Sequence, residues 1–177
     1  MNKLILLLPI LTVPGFGQPA APNPSNPIST SLRNLYMGNR NNIVRTAEKM
    51  PEENYGMRPG AQTEVRTFGQ QVAHVATYNF LWCSQAKGEK NPSPGDLEKL
   101  TSKADIMKYL KDSFAYVHKA VATINDANLV GTVRSPFGEG WVSRLGLATA
   151  VSSHGYDHYG QMVVYLRMNG IVPPASR

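Results

Sequence analysis

The sequence predicts an all-α fold, a four-helix bundle built as one domain over residues 29–177. Four segments carry apolar residues at spacings of three and four, and stretches rich in Pro and Gly separate them. Period-two alternation of useful length, which would indicate strands, is missing from the sequence. A length of 177 residues with 42% hydrophobic content suits a single buried core.

The first 17 residues have the pattern of a secretory signal peptide. Lys3 provides the positive start, residues 4–13 form an apolar run, and Gly15 and Gly17 lie where a signal peptidase would cut. The run is too short to cross a bilayer, which needs about 20 apolar residues. We therefore expect export to the periplasm or the exterior and no membrane span. Residues 18–28, rich in Pro, Ala and Asn, are expected to form a flexible lead-in.

The first helix is predicted to start at Ser29, because the hydroxyls of residues 29–31 can accept hydrogen bonds from free backbone N–H groups. Pro51 ends it. Gly38 and the Asn residues between 39 and 42 weaken the pattern in the middle of this helix. Its apolar side is formed by Leu32, Tyr36, Ile43, Ala47 and Met50.

The second helix is predicted over residues 68–87, after a Pro- and Gly-rich connection. Thr67 and Gln70 fit a capping box, in which the two side chains satisfy each other's free backbone amides. Gly88 is a suitable stop, because glycine readily takes a left-handed backbone. The apolar side of this helix includes Phe68, Val72, Val75, Tyr78, Leu81 and Trp82.

The third and fourth helices follow two further connections. Ser102 and Asp105 form a helix-start pattern, and the stripe after them is the clearest amphipathic one in the chain: Leu110, Phe114, Val117, Val121 and Ile124. The fourth helix is predicted from about residues 141–144 to Asn169, with Gly170 and Pro173 preventing its continuation. One face of it carries Leu147, Val151, His154, His158, Gln161 and Tyr165.

Two histidines therefore interrupt a stripe that should face the core. His154 and His158 are four residues apart, so a helix places both imidazoles on one side. Burying them without partners would cost about 1–3 kcal/mol for each unsatisfied group, and a metal ion would remove that cost. His74, beside the apolar sector of the second helix, is favoured as third ligand over His118, which has lysines nearby. Spacing alone leaves open that all three are ordinary helix residues bonded to carbonyls or hydroxyls.

Other features of the chain limit its chemistry. The formal charge of +6 is spread along the sequence, with acids interleaved among lysines, so no basic stripe for nucleic acid is predicted. Cys83 is the only cysteine and lies beside Leu81 and Trp82, which favours a buried structural thiol over a nucleophile. Asp157 is rotated by about 100° from its helical neighbours, which favours a polar contact over metal ligation.

The C-terminal third of the chain resembles the signature of the DinB/YfiT-like metalloproteins. The resemblance is carried by residues 154–161, by the Val-Val-Tyr-Leu-Arg run at 163–167 and by residues 170–174. Residues 51–55, Arg58, Pro59 and 67–74 resemble the family's earlier segment. The resemblance implies a four-helix bundle, often in a homodimer. It also implies one divalent ion, nickel or zinc, held by His74, His154 and His158, and no ligand role for His118.

Characterised members of that family include thiol-dependent S-transferases and isomerases, so the resemblance implies a small-molecule substrate, with a thiol as one candidate. Those relatives act in the cytoplasm, whereas this chain is predicted to be exported. The leading hypothesis is a metal-dependent transferase or hydrolase with open coordination positions, near which Tyr78, Asp157 and Gln161 would lie. The alternatives are a non-catalytic metal-binding or sensing protein, which a fourth protein ligand would indicate, and a plain structural bundle.

Overall fold

The computed structural model describes residues 25–93 and 95–176. The predicted signal peptide at 1–17 and most of the predicted lead-in lie outside the described residues. The described part contains four α-helices, α1 (Pro27–Lys49), α2 (Phe68–Lys87), α3 (Lys103–Ala122) and α4 (Arg144–Met168). The predicted all-α class is confirmed. None of the helices in this part of the chain is both long enough and apolar enough to cross a membrane.

The predicted ends of α2, α3 and α4 are confirmed by their caps. The capping box at Thr67 is complete, with the backbone N–H of Gln70 donating to the Thr67 hydroxyl at 3.2 Å. Ser102 accepts the backbone N–H of Asp105 at 3.0 Å at the start of α3. Gly88 and Gly170, which follow α2 and α4, have φ values of 71° and 68°. Glycine takes that left-handed conformation without the strain of a Cβ.

Helix α1 begins at Pro27, two residues earlier than predicted. The carboxylate of Asp126, in the connection after α3, accepts the backbone N–H groups of Ile28 and Ser29 at 3.1 and 2.8 Å. Pro27 itself has no N–H to satisfy, so proline is well suited to the first helical position. A partner distant in sequence therefore caps this helix, and local residue types do not reveal it.

A short β-ribbon corrects the expectation that the chain has no strands. Strands β1 (Thr132–Arg134) and β2 (Trp141–Ser143) pair antiparallel within the connection between α3 and α4. Three residues per strand are too few for the alternation test to detect. The turn of the ribbon carries Phe137, which is 63% exposed and whose ring lies 6.1 Å from the rings of Tyr78 and Trp82 on α2.

The helices form a bundle in which α2 and α3 run in one direction and α1 and α4 in the other. Helix α2 packs against α3 and α4, and α1 packs against the other sides of the same two helices. Helix α4 approaches α1 closely at Gly155, where an added Cβ would clash with the side-chain oxygen of Asn39. The core between the helices includes Ile43, Phe68, Val72, Leu110, Phe114, Val117, Met162 and Leu166.

This arrangement gives the bundle two opposite seams, which differ in chemistry. The α2/α4 seam contains His74, His154 and His158, whereas the α1/α3 seam contains His118. The histidine pair predicted on the core face of α4 therefore faces α2.

Candidate metal centre

Three histidines meet at the α2/α4 seam. One ligand nitrogen from each of His74, His154 and His158 lies within 4.8 Å of the other two. The ring centroids are 5.2 Å apart for His74 and His154, 4.8 Å for His74 and His158, and 4.3 Å for the pair on α4. His74 and His158 are buried, and His154 is half-buried. The cluster could therefore hold a metal ion.

A carboxylate orients the ring of His74. The Nδ1 atom of His74 lies 2.5 Å from Glu98 Oε1, and the other carboxylate oxygen accepts from Arg66 Nε at 2.8 Å. A carboxylate of this kind only accepts hydrogen bonds, so the proton of the neutral ring belongs on Nδ1. That tautomer leaves the Nε2 lone pair free for a metal ion, the arrangement found behind most metal-bound histidines.

A chain of side-chain amides orients the ring of His158. The carboxylate of Asp157 accepts from Gln161 Nε2 at 3.1 Å, which fixes the orientation of that amide. The Gln161 oxygen then accepts from Gln71 Nε2 at 2.7 Å, and the Gln71 oxygen lies 2.7 Å from His158 Nδ1. In this amide relay, which runs from Asp157 through Gln161 and Gln71 to His158, the carboxylate at the end sets the orientation of both amides. The proton of His158 therefore belongs on Nδ1 and its Nε2 is free.

His154 lies against an aromatic wall. Its ring centroid is 4.9 Å from those of Tyr78 and Trp82, and the Phe137 ring lies 6.1 Å from both of these rings. Apolar rings on this side exclude water and strengthen electrostatic interactions at the imidazole. The wall gives the site one apolar flank, while the carboxylate and amide groups lie on the side of His74 and His158.

Burial keeps the three imidazoles neutral. It lowers the pKa of His154 to about 3 and that of His158 to about 4, and the neighbouring imidazoles lower both further. Burial also lowers the pKa of His74, although the hydrogen bond to Glu98 opposes this. Burial acts to raise the pKa of Glu98, but hydrogen bonds from Arg66 and His74 outweigh it and the pKa falls. Neutral imidazole is the form that binds metals.

The structure also gives the position of each residue that the sequence singles out but does not predict as a metal ligand. His118 is exposed on α3 and lines the α1/α3 seam. Cys83 is buried, and burial raises the pKa of its thiol to about 12, which opposes a nucleophilic role. Asp157 makes a polar contact, as its helical position suggested, and reaches the cluster only through the relay. The Tyr78 ring lies beside His74 and His154, and Gln161 is linked to His158 through Gln71.

Sequence reasoning missed the groups that support the three rings. Gln71 precedes His74 by three residues and so shares its helix face, a signal that could have been read. Glu98 lies in the 3₁₀ turn Leu97–Lys99, within a connection that looked merely polar. Phe137 lies in another connection, and only the ribbon brings it to α2. Long-range contacts of this kind leave no local pattern.

Comparison with known proteins places this architecture. A sequence model of the DinB superfamily matches residues 36–162. Two DinB-like proteins of solved structure have similar folds. That from Bacillus cereus ATCC 10987 has a TM-score of 0.70 and 15% identity, over 84% of this chain and 97% of that one. That from Bacillus subtilis has a TM-score of 0.59 and 20% identity, over 79% and 92%. A conserved protein from Enterococcus faecalis has a TM-score of 0.64 and 14% identity, over 80% and 97%. No curated protein matches the sequence significantly.

Proposed function

This chain belongs to the DinB superfamily, and we propose that His74, His154 and His158 bind one divalent metal ion, nickel or zinc, for a transfer or hydrolysis reaction on a small molecule. The observation that carries the proposal is the donor set. Two of the three rings are held by Glu98 and Gln71 in the tautomer that frees Nε2. A purely structural role would not require both rings to present a free lone pair to a shared point.

The number of ligands favours an enzyme over a non-catalytic metal-binding protein. Within the described residues, the group that could hold an ion consists of three histidines, and Glu98 is engaged by His74 Nδ1 and Arg66. Three protein ligands with a remaining position for water or substrate are typical of catalytic zinc sites, whereas structural sites use four. A bound divalent ion would supply Lewis acidity and would favour the thiolate form of a thiol substrate.

The chain's own groups would position the substrate. The rings of Tyr78, Trp82 and Phe137 provide an apolar flank next to His154, the most exposed of the three histidines. Arg66 places a positive charge beside Glu98 at the opposite side. We propose that a small thiol is the substrate, that two copies of the chain form a homodimer, and that the N-terminal signal exports the chain. N-terminal sequencing of protein recovered outside the cytoplasm and sedimentation of the pure chain test the last two.

Metal analysis tests the site. The purified chain is incubated with nickel or zinc, freed of loose ions and assayed for bound metal. His74→Ala, His154→Ala and His158→Ala should each reduce bound metal from near one ion per chain to traces, because each removes a ligand. His118→Ala is the matched control and should keep the wild-type content. Equal metal content in all four variants would reject the site.

Cobalt(II) substitution separates an enzyme with an open position from a closed metal-binding protein. Cobalt bound by histidines should develop a thiolate-to-metal charge-transfer band when 2-mercaptoethanol is added. Loss of the band in a variant that binds no metal serves as the control. Metal binding without any spectral response to the thiol would reject the thiol proposal and favour the non-catalytic alternative.

A further inference from the structure

A groove runs along the α1/α3 seam, on the opposite side of the bundle from the histidine cluster. Two adjoining cavities of about 370 and 400 Å³ form it, and they share Tyr36, Met37 and His118 in their linings. Arg33 lies at one end and Arg40 at the other. These two arginines are seven positions apart on α1, so the groove is about 10 Å long.

The groove is strongly positive. Arg33, Arg40, Lys111 and Lys119 line it, and none of its lining residues is acidic. Glu48 pairs with Lys111 at 2.9 Å and the Asp126 carboxylate interacts with Arg33, so Arg40 and Lys119 carry most of the net positive charge of the groove. The sequence suggested that positive charge is dispersed. Folding instead gathers four cations from two helices onto one groove, which therefore attracts anions.

One of these cations has an unsatisfied donor. The Nη2 atom of Arg33 donates to the backbone carbonyl of Ile124 at 3.0 Å, but its Nε is buried and has no hydrogen-bond partner among the described residues. A buried guanidinium N–H without an acceptor is unfavourable, and an anionic oxygen is its best partner. The Nε atom is too deeply buried for a ligand in the groove to touch, so Arg33 contributes positive charge at the end of the groove and not a direct contact through Nε.

The base of the groove is apolar. Met37 is 40% exposed, which is high for a large apolar side chain, and it lies beside Phe114, Ala115, Val121 and Ala122. Water or inorganic phosphate would leave this surface uncovered. A ligand that satisfies both parts of the groove carries a negative group and a short apolar body.

We propose that the α1/α3 groove binds a small amphipathic anion, an organic carboxylate with an apolar chain of about 10 Å. The carboxylate would be held by the groove cations, and the chain would cover Met37. A second copy of this protein is disfavoured as occupant because it would bring two positive grooves together. Nucleic acid is disfavoured because its phosphates would lie over an apolar base.

Calorimetric titration of the full chain with octanoate tests the proposal. We expect saturable binding of one octanoate per chain. The double variant Arg40→Gln with Lys119→Gln should weaken it by about tenfold or more, because it removes charged hydrogen-bond donors. Ala115→Trp should abolish it by filling the groove. Arg45→Gln on α1 and Ala104→Trp on α3, exposed positions outside the groove, are the matched controls and should bind as wild type does.

Several outcomes would overturn the proposal. Equal binding of 1-octanol or of inorganic phosphate would show that either the charge or the apolar base is irrelevant. Wild-type affinity in the folded double variant, with folding verified by circular dichroism, would place octanoate elsewhere. Binding confined to phosphatidylglycerol vesicles or to an oligonucleotide would indicate a macromolecular surface. A concentration-dependent dimer that Ala115→Trp disrupts would make the groove a subunit interface.

Discussion

The two opposite seams of the bundle differ in the charge and the hydrogen bonding of their polar side chains. At the α2/α4 seam, the polar side chains around two of the histidines bond one another, with Glu98 bonded to His74 and the amide relay bonded to His158, although Trp82 Nε1 has no partner among the described residues. At the α1/α3 seam, cations line a groove and Arg33 Nε is left without a partner. The first seam is arranged around neutral donors that suit a cation, and the second presents positive charge that suits an anion.

The two proposed sites place different demands on the bundle. A histidine cluster must be pre-arranged, because each imidazole has to be neutral and in one tautomer before it can bind a metal. Orientation then requires additional groups from α2, α4 and the 3₁₀ turn at Glu98. A groove for an amphipathic anion needs only charge at its rim and apolar surface at its base. Few residues of α1 and α3 therefore specify it.

The largest expected effect that separates the two seams is the pH dependence of stability in the metal-free protein. The folded chain lowers the pKa of His154 to about 3 and that of His158 to about 4, from an ordinary value of 6.5. Below pH 6.5 these two histidines therefore bind more protons in the unfolded chain than in the folded chain, which lowers the free energy of unfolding. The contribution of the two imidazoles is complete above pH 6.5 and declines as the pH falls towards 4.

Urea unfolding between pH 7 and 5 measures this effect. The unfolding midpoint of the metal-free wild type should fall across this window, and His154→Phe should reduce the slope because it removes one of the depressed groups. Arg40→Gln changes the other seam and should keep the wild-type slope, since arginine stays protonated throughout. An identical slope in the wild type and His154→Phe would contradict the expectation.

Much of the bundle could be predicted from local chemistry. The caps at Thr67 and Ser102 and the stop at Gly88 are local signals, so both ends of α2 and the start of α3 follow from them. Helix α1 starts at Pro27 because Asp126 accepts its first N–H groups from about 100 residues away. The ribbon at β1 and β2 is too short to show alternation. These differences arise where a distant residue or a very short element decides the structure.

The candidate site also has a part that could be predicted from the sequence and a part that could not. Helical spacing places His154 and His158 together, and the resemblance to a known family adds His74. The supporting groups were not predicted, because Glu98 reaches His74 only through the path of a connection. The groove could not be predicted from the sequence either, because Arg40 and Lys119 come together only when α1 packs antiparallel to α3. Ligands on one helix are predictable, and contacts that depend on tertiary packing are not.

A smaller effect concerns the group behind His74. Glu98→Gln keeps the shape and an acceptor oxygen but removes the charge that fixes the ring tautomer and strengthens the ligand. Metal affinity should fall by about 10- to 100-fold, as for other partners of metal-bound histidines. Glu89→Gln, an exposed carboxylate paired with Lys87, is the matched control and should bind metal as the wild type does. Unchanged affinity in Glu98→Gln, measured by competition with a chelator, would show that Glu98 does not support the ligand.

The smallest effect concerns the far end of the amide relay. Asp157→Asn can present either an oxygen or an NH₂ group to Gln161, so the relay loses its fixed direction and Gln71 can turn its NH₂ towards His158. That orientation favours a proton on Nε2, where it blocks the metal. Because Asp157 is exposed and water can replace it, affinity should fall by only about 2- to 10-fold. Nitrogen NMR of the metal-free chain should show mixed tautomers at His158. Asp112→Asn, in an exposed pair with Lys108, should alter neither quantity. A loss as large as that in Glu98→Gln would mean that Asp157 contacts the ion directly.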